Sequence, residues 1–116
     1  MEFVSKQQAY EGLRKLLLET AAQSGDVKLE DIARNMQMRG DHSMQPELYQ
    51  RYLDSIKSDP LSPQTALTAA ADFLERNITD GKPQTRELMR EARAAAGDPE
   101  SEPDFWNHWI ELLDSL

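Results

Sequence analysis

The chain has 116 residues, a net charge of −8 and no cysteine, and 39% of its residues are hydrophobic. This length and composition predict one globular domain over residues 1–116 and exclude disulfide bonds and thiolate metal sites. The longest strongly apolar run, Leu16-Leu17-Leu18, is too short to span a membrane. Residues 1–4 do not resemble a signal peptide, and the absence of cysteine fits a cytoplasmic protein.

The negative charge is concentrated in the second half of the chain. Residues 1–58 contain nine acidic and eight basic residues, whereas residues 59–116 contain twelve acidic and five basic residues. A field of this sign disfavours nucleic acids and anionic membranes as partners and favours a basic protein surface. The alternative is that the acidic residues serve solubility alone.

Capping residues and apolar spacing predict the first two helices. Ser5-Lys6-Gln7-Gln8 matches a capping box, with Val4 placed to pack on Ala9. Apolar residues then recur at intervals of three and four, and Gly25 is a typical left-handed helix end. A second, short helix is predicted after Asp26, with an apolar face formed by Leu29, Ile32, Ala33 and Met36.

Residues 37–45 are predicted to form a loop, and prolines mark the starts of the next two helices. Pro46 suits the first turn of a third helix, which we expect to end near Ser58-Asp59-Pro60. Ser62-Pro63 supplies the N-cap and first residue of a fourth helix, which is expected to run to Asp80-Gly81.

Two further helices complete the predicted fold. Pro83 opens a fifth helix that Gly97 closes, and Ser101-Glu102-Pro103-Asp104 is predicted to cap a sixth. No run of alternating β-branched residues occurs, so strands are not expected. The pattern predicts an all-α fold, a compact single-domain bundle of five or six short helices. Three arginines on the fifth helix are expected to face the acidic sixth helix or water: Arg86, Arg90 and Arg93.

The last nineteen residues, Asp98 to Leu116, contain six carboxylates, both tryptophans, and no Lys or Arg. We expect Phe105 and Trp109 to pack inward and Trp106 to lie at or near the surface; the alternative is that all three are core. An anionic surface with an aromatic side chain is typical of a site for a basic protein. The predicted partner-binding residues are Asp98, Glu100, Glu102, Asp104, Trp106, Glu111 and Asp114.

The sequence shows no catalytic, cofactor or metal motif. His108 lies four residues after Asp104, which predicts a surface hydrogen bond or ion pair rather than a metal site. Asp41-His42-Ser43 has the residue types of a hydrolase triad, but adjacent residues cannot readily converge on one reacting centre. We therefore expect a protein that is not an enzyme and that uses no cofactor or metal.

Two other classes of function stay open. Residues 29–34 look like the opening helix of a helix-turn-helix unit, although the expected turn glycine is replaced by Gln37. A nucleic-acid-binding regulator of this kind would need Arg34, Arg39 and Arg51 on one basic face. The other class is a helical adaptor whose aromatic C-terminal helix docks in a hydrophobic groove.

The favoured hypothesis is an acidic interaction protein that binds and inhibits a basic partner protein. Its most concrete form is an immunity or antitoxin-type inhibitor that covers the basic cleft of a nuclease toxin. Such a cleft is basic because its substrate is a polyanion, which an acidic helical cover can imitate. The hypothesis resembles toxin–immunity pairs in physical logic only, and neither a membrane nor a nucleic acid is the expected partner.

Overall fold

The computed structural model describes residues 3–39, 42–57, 60–79 and 81–115. Its helices are α1 (Lys6–Ser24), α2 (Val27–Asn35), α3 (Pro46–Asp54), α4 (Pro63–Asn77), α5 (Pro83–Gly97) and α6 (Pro103–Asp114), with strands β1 (Met38–Arg39) and β2 (His42–Ser43) between α2 and α3. A 3₁₀ turn, Pro99–Ser101, precedes α6. The predicted all-α bundle of five or six short helices is confirmed. Within the described residues, no helix is both long and apolar enough to cross a membrane.

The predicted caps define several helix ends. The Ser5 hydroxyl accepts a hydrogen bond from the Gln8 N–H (2.9 Å), and the Gln8 side chain accepts one from the Ser5 N–H (3.4 Å), which completes the capping box. Gly25 ends α1 with φ 69°, a left-handed conformation that glycine adopts at low cost. Ser62 caps α4 by accepting from the Thr65 N–H (3.1 Å).

A short strand pair corrects the prediction that strands are absent. Met38–Arg39 pairs antiparallel with His42–Ser43. Strands of two residues are too short to produce a recognisable alternating pattern, so they cannot be predicted from the sequence. The pair also separates α2 from α3, whereas a helix-turn-helix unit joins its two helices by a short turn.

α3 and α4 end earlier than predicted. α3 ends at Asp54, and the following Ser55 donates its hydroxyl back to the Arg51 carbonyl (3.2 Å). α4 ends at Asn77, whose side chain donates back to the helix backbone, and Ile78 is already extended. Both side chains bond back to a carbonyl four residues earlier, a local signal that apolar spacing does not register. Three residues near the predicted ends lie outside the described residues: Ser58, Asp59 and Asp80.

α6 begins without the predicted cap from Ser101. The Ser101 hydroxyl donates to the carbonyls of Ala94 (3.2 Å) and Asp98 (2.7 Å), so it is held at the end of α5. The N-cap of α6 is Glu102, which makes no side-chain capping bond. Pro103 provides the start instead, because its fixed φ suits a first helical turn and it has no N–H to satisfy.

α1 is the central helix of the bundle and packs against each of the other five. Its contact with α6 depends on Gly12. A Cβ at this position would lie 2.9 Å from Leu113 Cδ2 and 3.5 Å from the Trp109 ring, and both of these side chains are fully buried. The missing side chain of Gly12 therefore allows α6 to lie close against α1.

A buried carboxylate joins the starts of two helices. Asp26 is 5% exposed and caps α2 by accepting from the Leu29 N–H (3.2 Å). Its other oxygen accepts from the Thr85 hydroxyl (2.8 Å) and, at 3.5 Å, from the Lys82 N–H at the start of α5. Burial opposes ionisation, but these donors and the Lys28 N–H outweigh it and lower the pKa of Asp26.

Candidate functional site

α6 has a buried apolar face and an exposed acidic face. Each residue turns the helix by about 100°, so residues three, four and seven apart share a face. The buried face carries Phe105, Trp109, Leu112 and Leu113. The exposed face carries Asp104, Asn107, Glu111 and Asp114. We call its three carboxylates, Asp104, Glu111 and Asp114, the acidic row.

The aromatic residues of α6 are buried to different extents. Trp109 is fully buried, and its indole N–H donates to the Pro63 carbonyl (3.0 Å), which fixes α6 to the first turn of α4. Phe105 is also buried, whereas Trp106 is half-buried against the core and shares a flank of α6 with half-buried Ile110. This flank meets the acidic row at Asp114, four residues after Ile110, and not at Asp104 or Glu111. The prediction that Phe105 and Trp109 pack inward is confirmed, and Trp106 lies between the predicted surface position and the alternative of a core residue.

The other three predicted partner-binding residues precede α6. Asp98 and Glu100 are exposed, and the Asp98 carboxylate accepts from the Glu100 N–H (3.1 Å). Glu102 is bound to Arg90 of α5 (3.1 Å). The structure therefore groups Asp104, Trp106, Glu111 and Asp114 on α6, places Asp98 and Glu100 in the preceding turn, and uses Glu102 in an internal ion pair.

His108 lies on the opposite flank of α6 and connects it to α1. Its Nε2 is 2.5 Å from Glu19 Oε2, and its Nδ1 is 3.9 Å from Glu111 Oε2. These contacts, and not the predicted pairing with Asp104, are the ones that His108 makes among the described residues. Spacing along the sequence cannot identify a partner as distant in the chain as Glu19.

A cleft of about 290 Å³ opens between α1, α5 and α6 beside His108. We call it the α1–α5–α6 cleft. Its buried apolar lining comes from Leu16, Leu88 and Phe105. Its polar lining comes from Glu19, Thr20, Gln23, Gln84, Glu87, Glu91 and His108. Sequence reasoning missed this cleft; the only local signal is the spacing of Glu87 and Glu91, which places both on one face of α5.

Negative charge is only partly compensated at the α1–α5–α6 cleft. Arg90 binds Glu87 and Glu102, and its hydrogen bond to Glu87 lowers the pKa of that carboxyl. Burial, followed by the charges of Glu87 and Glu102, raises the pKa of Glu91. Glu91 is therefore less stable as an anion than an ordinary glutamate. Arg93, the next arginine on α5, is held by Asp72 and Glu75 of α4 and does not compensate the cleft.

Within residues 3–39, 42–57, 60–79 and 81–115, no group of three or more His, Asp or Glu side chains is arranged to hold a metal ion. Asp41 of the Asp41-His42-Ser43 triplet lies outside these residues, so the triplet has no described geometry. Of the arginines that a nucleic-acid-binding face would need, Arg34 pairs with Glu30 and Arg51 donates to Asn77. The described surface of α6 therefore carries carboxylates together with half-buried apolar side chains.

Comparison with protein-family models, with curated proteins and with solved structures found no match.

Proposed function

We propose that the protein binds a basic partner protein through the outward face of α6 and thereby inhibits it. The observation that supports this proposal most strongly is the acidic row on the exposed face of α6, with half-buried Trp106 and Ile110 on the flank that meets it at Asp114. The row extends about 15 Å along the helix, given a rise of about 1.5 Å per residue. It therefore offers a linear anionic surface with an apolar anchor beside it.

The two components of this surface affect different stages of binding. Exposed carboxylates raise the rate of encounter with a basic surface, and the effect weakens as salt screens the charges. A tryptophan that becomes fully desolvated in the complex slows dissociation. The rest of α6 is anchored by Trp109 and by the contact at Gly12, so the helix presents both components on a rigid support.

The most concrete form of the proposal is an immunity or antitoxin-type inhibitor of a nuclease toxin in the cytoplasm. The active-site cleft of a nuclease is basic because it binds a polyanion. A row of carboxylates on a rigid helix can occupy such a cleft in place of the nucleic acid and exclude it. Inhibition of this kind requires coverage only and no chemical step by the protein itself.

A capture experiment with charge-matched variants tests the proposal. The α6 variant carries Asp104→Asn, Glu111→Gln and Asp114→Asn. The control carries Asp31→Asn, Glu47→Gln and Asp54→Asn, which remove the same charge from exposed positions on α2 and α3. Wild type and control should retain the same basic protein from a lysate of the source cell, and the α6 variant should lose it.

Retention of that protein by the α6 variant would contradict the proposal. In that case Trp106→Ala tests the adaptor alternative. If Trp106→Ala loses the partner while the α6 variant keeps it, α6 docks through its apolar side chains. Retention of nucleic acid by the wild type would favour the regulator alternative. Where a basic protein is retained as expected, adding the wild-type chain to its activity assay should inhibit it, and the α6 variant should not.

A further inference from the structure

The α1–α5–α6 cleft adjoins the proposed binding surface. His108 lines the cleft and is also 3.9 Å from Glu111 of the acidic row. A partner that covers the outward face of α6 would therefore meet the mouth of the cleft. Its volume of about 290 Å³ lies just below the range of about 300–1,000 Å³ for small-ligand pockets, so it suits one side chain better than a larger element.

The buried part of the cleft lining is apolar, and its exposed rim is anionic. Leu16, Leu88 and Phe105 are buried, whereas Glu19 and Glu87 are exposed at the rim. Among the described residues that line the cleft, neither Lys nor Arg is present. This order suits a side chain with an apolar stem and a cationic end, because the stem can contact the apolar groups while the charge stays near the carboxylates.

We propose that the α1–α5–α6 cleft receives an arginine side chain of the basic partner, an inference that rests on the proposed function. Arginine fits better than lysine because its guanidinium is planar, is weakly hydrated and offers five donors to several acceptors at once. The acceptors at the rim are the carboxylate of Glu91, the carboxylate of Glu19, whose Oε2 also contacts His108, and the side-chain amides of Gln23 and Gln84.

The carboxylates that crowd around Glu91 also favour binding of a cation in the cleft. Glu91 is half-buried beside the charges of Glu87 and Glu102, which Arg90 only partly offsets. A guest guanidinium would stabilise the ionised form of Glu91. Neutral Gln at this position should fold at least as well as Glu, because burial and the neighbouring anions disfavour the ionised side chain.

The test uses N-acetyl-arginine amide as the probe and N-acetyl-citrulline amide, a neutral compound of nearly the same shape, as its control. Both are titrated into the full-length ¹⁵N-labelled protein and followed by NMR. The arginine probe should shift the amide resonances of Thr20, Leu88 and His108 saturably, and the citrulline probe should not. Glu91→Gln should weaken binding about fivefold, the effect of losing one partly exposed ion pair. Glu19→Gln should weaken it in the same direction.

Glu47→Gln is the control variant, since it removes the same charge from an exposed position on α3 that does not line the cleft. It should change the affinity for the arginine probe by less than about twofold. The absence of saturable shifts at the cleft, equal shifts with citrulline, or unchanged binding in Glu91→Gln would overturn the inference. If the arginine probe fails while the α6 variant still loses the captured partner, the inference fails and the proposed function stands. If the α6 variant retains the captured partner as well as the wild type does, the proposed function fails, whatever the result with the arginine probe.

Discussion

Two buried tyrosines in the bundle use their hydroxyl groups differently. Tyr10 and Tyr52 are both fully buried, with ring centroids 5.5 Å apart. The Tyr52 hydroxyl donates to the Ala66 carbonyl (3.1 Å), which links α3 to α4. Among the described residues, the Tyr10 hydroxyl has no hydrogen-bond partner. Burial is the main reason that the pKa of each phenol is raised, so both stay neutral at physiological pH.

Removing each hydroxyl should therefore have opposite effects on stability. Tyr52→Phe removes the hydrogen bond that links α3 to the Ala66 carbonyl inside α4, and it should lower the free energy of unfolding by about 1 kcal/mol. Tyr10→Phe removes a buried polar group that makes no hydrogen bond, so it should leave stability unchanged or raise it by about 1 kcal/mol. Urea denaturation of the two variants and the wild type measures both changes. Equal destabilisation by the two substitutions would show that the Tyr10 hydroxyl is satisfied after all.

At the scale of elements, Asp26 couples α2 to α5. One carboxylate caps α2 and also accepts from Thr85 and Lys82 at the start of α5. The folded state lowers the pKa of Asp26 below its ordinary value of 3.8. A carboxyl whose pKa falls on folding stabilises the folded state above its unfolded pKa, and this contribution is lost as the pH falls through the folded pKa.

Asp26→Asn should destabilise the protein in a pH-dependent way. The amide places an N–H group where the carboxylate accepted from Thr85 and Lys82, which should cost about 1–3 kcal/mol at neutral pH. The difference from wild type should be largest at about pH 7 and should shrink below about pH 4, as Asp26 becomes protonated in the wild type. Urea denaturation of the wild type and the variant between these pH values measures the difference in the free energy of unfolding. Asp31→Asn, on the exposed side of α2, is the control, and an equal, pH-independent loss in both variants would contradict the account.

The helices show which features a sequence can predict. Ser5, Gly25 and Ser62 act on neighbours within four residues, so local patterns predicted the starts and ends that they define. The second function of Asp26 depends on Thr85, which is 59 residues away, and only tertiary packing brings them together. Ser101 shows the same limit, because a local pattern predicted a cap and the end of α5 holds the hydroxyl instead.

For the whole molecule, the acidic row and the cleft differ in how far the sequence could predict them. Asp104, Glu111 and Asp114 share a face through helical spacing alone, so a sequence pattern is enough to place them together. The cleft needs α1, α5 and α6 to converge, and the approach of α6 to α1 depends on the missing side chain of Gly12. No local pattern places Glu19 beside His108 or Glu91 beside Glu102.

The net charge of −8 also has a consequence for the whole molecule. A general acidic field would steer any basic protein, whereas a specific surface should depend on where the charges lie. The α6 variant and its charge-matched control have the same net charge, so they separate these two effects. If net charge alone governs binding, the two variants will weaken it equally.

The most direct test of the central claim is the affinity for the captured basic partner as a function of salt, measured by calorimetry. The titration covers about 0.05–0.5 M salt for the wild type, the α6 variant and the charge-matched control. We predict that affinity falls steeply with salt for the wild type and the control. The α6 variant should bind more weakly at low salt and show a shallower dependence. Binding that is insensitive to salt, or an α6 variant that matches the control, would contradict the claim that the acidic row recognises a basic partner.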